Sequence, residues 1–307
     1  MKRLNILLPL IIITIFYVSC SGASNTSEVD NALAYDGDFH QEIIKPQVEA
    51  WQKVAKIMYP RVSDDTEADW AAHVADSIGN AILAEPSLSN GEQLARLYNM
   101  ENVIAYGMTY FSAIISSYSN PDASQEALAT VTTSFNEFDS LRVVGFDSPK
   151  HQIDYQLSTY RNFGLFMELG SQYADGEPQF VTNNLNMQQR NAALCQLFLT
   201  HLKNETQAYR YSEIVNNTTY FMTFCPLCFW LAGNEFQELH QNEYLVIGEW
   251  FDKKMLIINN CNDETELSSL PEITLEKYST ELKKATDYKV QLIQLLYKGI
   301  MSIPVEE

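Results

Sequence analysis

Cys225-Pro226-Leu227-Cys228 is the most pointed constellation in the 307-residue sequence. With Pro226 opening a helix, Cys225 stands at its N-cap, where the helix dipole and free N–H groups stabilise a thiolate. That is the physical basis of thiol–disulfide exchange. Phe229 stands where a c-type haem attachment needs His, which excludes haem. In an exported chain, Cys195, Cys225, Cys228 and Cys261 also form an even set that can pair in three ways. Structural pairing or buried thiols is the expectation for all four, with redox catalysis as the alternative. The long intervals flanking the CxxC do not suit a compact zinc module, so no metal is expected.

Glu101 is the most unusual ionisable residue, because it falls on an apolar stripe between Leu97 and Ile104. A carboxylate there must be paired, protonated or facing a cavity. Arg161, between Leu157 and the run Phe163 to Phe166, occupies a comparable position. One expectation is that Glu101 and Arg161 line a polar pocket; the plainer one is a carboxylate at the edge of its stripe, or in a single structural salt bridge. His73 is a further candidate for such a pocket, since Asp69, His73 and Asp76 share one helical face. His201 with Glu205 and His240 with Glu243 have the same spacing. A His beside a carboxylate can serve as general base or metal ligand. With 39 acidic residues in the chain, such neighbours arise by chance, and surface ion pairing is expected for each. Neither a His-Glu-x-x-His nor a Glu-x-x-His pattern is present.

Aromatic residues make up 12% of the chain, with tryptophans at 51, 70, 230 and 250. Most lie on helical stripes and are expected in the core. Tyr209 and Tyr211, around Arg210, are expected to be exposed and to offer stacking surfaces. No nucleophile elbow, phosphate loop, dinucleotide fingerprint or EF-hand loop occurs, so no cofactor is expected. The balance of 20 basic against 39 acidic residues, net −19, argues against nucleic acid as a partner, because a nucleic-acid groove needs clustered Lys and Arg.

The N-terminus carries address information. Met1-Lys2-Arg3 is followed by an apolar run, Leu4 to Val18, interrupted by Asn5, Pro9 and Thr14, with small residues from Ser19. This is the pattern of a signal peptide over 1–19. Tyr17-Val18-Ser19-Cys20 resembles the lipobox of bacterial lipoproteins, with Tyr17 in place of the usual Leu. The resemblance implies acylation (palmitate among the acyl chains) of Cys20 as the mature N-terminus, and Ser21 after it implies the outer membrane. The alternative is cleavage after Ala23, with Ser21 and Ala23 as the small residues of an A-x-A-like site, giving a soluble periplasmic or secreted protein. Loss of Lys2 and Arg3 would move the charge from −19 to about −21. Residues 20–38 are polar and small, and are expected to form a flexible tether of roughly 20–25 Å.

From Phe39 onward the apolar spacing is helical. Ile44, Val48, Trp51, Ala55 and Met58 make one stripe, and Leu128, Val131, Phe135 and Phe138 another. Leu94, Leu97, Ile104, Met108, Phe111, Ile115 and Tyr118 make the longest, and Leu282, Ala285, Leu292 and Leu296 recur near the end. Pro60, Pro86, Asn120-Pro121 and Ser148-Pro149 punctuate them, and Ser89 with Glu92 has capping-box spacing. The fold expected over 39–307 is all-α, an irregular multi-helix bundle of about eight to ten helices. A seam near 175–184 divides it into two lobes or marks a long loop. Tyr220 to Leu231, the longest later apolar run, is too short for a membrane span.

These readings converge on a lipid-anchored, extracytoplasmic, non-catalytic helical protein. Its expected partners are the membrane through the lipid, and an envelope protein or a small molecule. An extracytoplasmic hydrolase using carboxylates and His from separate helices is the alternative, and a thiol–disulfide oxidoreductase a third.

Overall fold

The computed structural model describes residues 33–58, 66–119, 129, 133, 155, 193, 197, 198, 200–202, 204, 206–213, 235, 236, 238–259, 267 and 270–302. Among these the regular structure is entirely helical. A π-helical turn, His40–Ile44, runs directly into α1 (Lys45–Met58). The helices α2 (Thr66–Ala84), α3 (Asn90–Ser119), α4 (Gln241–Asn259) and α5 (Leu275–Ser302) follow, and residues 206–213 are also helical. No helix among the described residues is long and apolar enough to cross a membrane.

Where the described residues cover them, the stripes become the core; the stripe of Leu128, Val131, Phe135 and Phe138 lies outside the described residues. Ile44, Val48, Trp51 and Ala55 on α1, Leu94, Leu97 and Ile104 on α3, and Leu282, Ala285, Leu292 and Leu296 on α5 are all buried. Each large aliphatic side chain removed from water contributes about 1.5–3 kcal/mol before conformational entropy is subtracted. The first helix is central: it packs against α2 on one side and α5 on another, while α2 and α3 form an extensive antiparallel-type hairpin interface of their own. Gly79 permits the α1–α2 approach, since a Cβ there would lie 2.8 Å from Gln52 Nε2. Gln52 is held in place by donating to Asn80 Oδ1 at 3.1 Å. On the far side, Trp250 of α4 meets Tyr288 of α5 with ring centroids 5.1 Å apart.

Boundaries follow local chemistry. The first helix ends at Met58, ahead of Pro60, and α3 ends at Ser119, ahead of Pro121. Between Ala84 and Asn90 the Pro86 loop reverses the chain, and the expected capping box forms at its end. Ser89 N–H donates to Glu92 Oε2 at 3.0 Å, and Glu92 N–H reaches Ser89 Oγ at 3.3 Å. The π turn has a cause in Pro46. A proline this near a helix start has no N–H to give and crowds the carbonyl one turn back. Widening the preceding turn, so that the Lys45 N–H bonds to His40 O, relieves that crowding.

The expected tether over 20–38 is too long at its C-terminal end. Leu33 is fully buried, its carbonyl accepts from Asn90 Nδ2 at 2.8 Å, and Asp36 N–H donates to Ser279 Oγ at 2.8 Å. Tyr35 stacks edge-on to Phe39 and donates its hydroxyl to Glu42 Oε2 at 2.7 Å. Residues 33–38 therefore belong to the folded body. Composition alone reads them as linker because their anchoring partners lie on α3 and α5. The seam near 175–184 lies outside the described residues.

Candidate functional site

Asp38-Phe39-His40 sits where the docked N-terminal segment turns into helix. Asp38 Oδ1 accepts from the Gln41 N–H at 3.0 Å, a side-chain cap for the first turn. His40 is thereby directed inward. It is 6% exposed, and its Nδ1 lies 2.7 Å from Gln93 Oε1 in the first turn of α3. Gln93 in turn donates from Nε2 to the Leu88 carbonyl at 2.8 Å. With its amide nitrogen committed to a carbonyl, Gln93 can only accept through Oε1. His40 therefore carries a proton on Nδ1, and in the neutral tautomer this leaves the lone pair at Nε2.

Around this ring lies an open depression of about 520 Å³, within the range of small-ligand sites. Tyr35, Asp38 and Phe39 form one wall and Pro86, Leu88 and Asn90 the other. The field inside is negative. Tyr35 holds its phenolic proton far more tightly than usual, first because burial disfavours the phenolate and then because Glu42 accepts its hydroxyl and adds negative charge; Asp287 and Asp36 add to the same effect.

A second ionisable cluster is wholly internal. Glu101 has no exposed surface; its Oε1 is 2.7 Å from Lys289 Nζ on α5 and accepts from Trp51 Nε1 of α1 at 2.9 Å. Three helices are thus joined at one carboxylate. Glu101 is therefore a structural ion pair, as one of the two sequence expectations had it, and not a residue at the edge of its stripe. Lys289 was legible too, because it takes the core register four residues after Ala285 and three before Leu292. His73 stands exposed on α2 while Glu101 is fully buried, so these two candidates face different surroundings. Arg161 lies outside the described residues.

Tyr209, Arg210 and Tyr211 are buried, contrary to their expected exposure. Their work is to hold the chain entering α5. Gln207 Nε2 donates to Ile273 O at 3.1 Å, Ile273 N–H donates back to Gln207 Oε1 at 2.7 Å, and Arg210 Nη1 donates to the same carbonyl at 2.6 Å. The guanidinium also lies 5.2 Å from the centre of the Tyr278 ring. Sequence polarity misled here, because an Arg flanked by tyrosines resembles a surface patch unless its carbonyl partner is known.

His240 contacts Glu243 through Nδ1, the expected surface pair. Asp76 pairs with Lys56 at 3.4 Å. Asp69 lies on α2 with His73. His201 is half-buried, and its neighbour Glu205 lies outside the described residues, as do Cys20, Cys195, Cys225, Cys228 and Cys261. Among the described residues no group of three His, Cys, Asp or Glu side chains is placed to hold a metal.

His40 and Gln93 escaped the sequence reading, which sought histidines near acids along the chain. Their pairing spans 53 positions and involves an amide. No protein-family model matches the chain, and no curated protein matches its sequence.

Proposed function

We propose that this protein is a bacterial lipoprotein, anchored through Cys20 at the outer membrane, which presents its helical body as a non-catalytic binding module for a small molecule or an envelope protein. The His40 depression carries the binding part of this reading. It is open to solvent and adjacent to the N-terminal segment, whereas the buried charges Glu101, Lys289, Arg210 and Glu213 make contacts with the protein itself. A catalytic role is disfavoured by the partner of His40. An amide carbonyl orients the imidazole but supplies no negative charge to stabilise an imidazolium, as the carboxylate of a catalytic triad does. Among the described residues that line the depression there is also no Ser, Thr or Cys nucleophile. The anchoring part is supported by the Val18-Ser19-Cys20 sequence and by the net acidity, which would keep the body off an anionic surface and leave anchoring to the lipid.

The test has two arms. Cells fed an alkyne fatty acid should label the protein in the membrane fraction, and a Cys20→Ala variant should lose the label. A photo-cross-linking residue at Ser87, exposed between Pro86 and Leu88 on the rim, should give a discrete adduct on intact cells, where the same residue at Lys253 on α4 gives none. Equal or absent cross-linking from both positions would oppose the binding role.

A further inference from the structure

The side chains around His40 share a polarity. Tyr35 spends its hydroxyl proton on Glu42, His40 its Nδ1 proton on Gln93, Gln93 its amide on Leu88 O, and Asn90 an amide proton on Leu33 O. Three acceptors remain among the lining groups: the Nε2 of the neutral His40 ring, the phenolic oxygen of Tyr35, and the Asp38 carboxylate oxygen that does not cap the helix. His40 is more than nine-tenths buried and, among the described residues, nothing partners its Nε2. Two rings, Tyr35 and Phe39, meet edge to face at 5.7 Å beside it and offer π-faces to a cation. Acidic groups at Asp36, Asp38 and Glu42 surround the site, on a chain of net charge −19.

Resting on the binding role proposed above, we infer that the His40 depression is a recognition site for a primary ammonium group, of the kind carried by an amine metabolite, an amino sugar or the N-terminus of a peptide. An ammonium matches the three acceptors at once: one N–H bonds to His40 Nε2 and the others reach Asp38 and the Tyr35 oxygen, while the positive charge neutralises the local field. Anions meet like charge from Asp36, Asp38 and Glu42. A neutral apolar ligand would leave His40 Nε2 unmatched.

The test uses the full mature chain and simple probes. Ethylammonium, tetramethylammonium and acetate are titrated while the imidazole ¹⁵N resonances of His40 are followed, with His40→Gln used to assign them. Without probe, His40 should show the pattern of an Nδ1-protonated ring. Ethylammonium should move the Nε2 resonance and saturate in the millimolar range, the ceiling for so small a probe. Tetramethylammonium, which has no N–H, should bind several-fold more weakly, and acetate should not bind. Asp38→Asn keeps the helix-capping oxygen while removing the charge, and should weaken ethylammonium several-fold with the Nδ1 tautomer unchanged. Equal response to tetramethylammonium, tighter binding of acetate, or no response to any probe would each overturn the ammonium assignment. In those cases cross-linking from Ser87 separates the two failures: a retained adduct removes only the ligand class, and a lost one removes the binding role as well.

Discussion

Lys289 Nζ and Glu101 Oε1 lie 2.7 Å apart in the core, where neither side chain has more than a few per cent of its surface exposed. Desolvating two charges offsets most of what their attraction returns, so such a pair contributes less to stability than to the choice of one packing arrangement. Here it fixes the register of α5 against α1 and α3, with Trp51 Nε1 adding a third direction.

The pair should therefore respond asymmetrically to substitution. Lys289→Met alone leaves a fully buried carboxylate without its ammonium and should cost about 3–5 kcal/mol. Combining it with Glu101→Gln, which keeps an acceptor for Trp51, should recover a large part of that loss. Urea unfolding of the two single variants and the double variant gives the coupling directly. Additive losses would mean that the two groups do not interact.

Gly37 should resist substitution. Its φ of +156° is one that residues with side chains rarely adopt, and a Cβ would lie 2.8 Å from Tyr35 Cε1 and 3.1 Å from Glu42 Oε1. Gly37→Ala should destabilise the protein by about 1–3 kcal/mol and loosen the Tyr35–Glu42 contact. Denaturant unfolding, combined with chymotryptic cleavage at Tyr35 or Phe39 in the docked segment, would register both effects. A variant as stable as the parent would contradict the tight docking of residues 33–38.

Much of this architecture is legible locally. The α1, α3 and α5 stripes, the Ser89–Glu92 cap and the proline stops are encoded within one or two helical turns, where spacing and propensity act. What escaped is long-range pairing. Leu33 reads as linker until Asn90 binds its carbonyl, Arg210 reads as surface until Ile273 is beside it, and nothing near His40 in the chain marks it out before Gln93 is seen to orient it. Glu101 lies between these cases, since its place on an apolar stripe announced a partner and the matching position of Lys289 could have named it.

Alkaline pH should weaken the fold. Tyr278 holds its proton well above the usual tyrosine range, mainly through burial and then through the negative charge of Glu213, with Arg210 and Tyr209 opposing in part; Tyr35 is shifted the same way. Above about pH 10 tyrosines of the unfolded chain ionise while these two stay protonated in the native state. The native protein then binds more protons than the unfolded one, so stability is fully present below about pH 10 and falls as pH rises through that range. Urea midpoints measured from about pH 8 to about pH 11 should fall, and Tyr278→Phe should flatten the decline. A pH-independent midpoint would show that neither tyrosine is linked to folding.

The anchored-lipoprotein reading is tested most directly by the mass of the N-terminal peptide, taken from protein extracted with detergent from the membranes of the producing bacterium. The expected result is a peptide that begins at Cys20 and carries acyl chains on its sulfur-linked glycerol. An unmodified peptide beginning at Ser24, after cleavage behind Ala23, would contradict it and make the protein a soluble exported one.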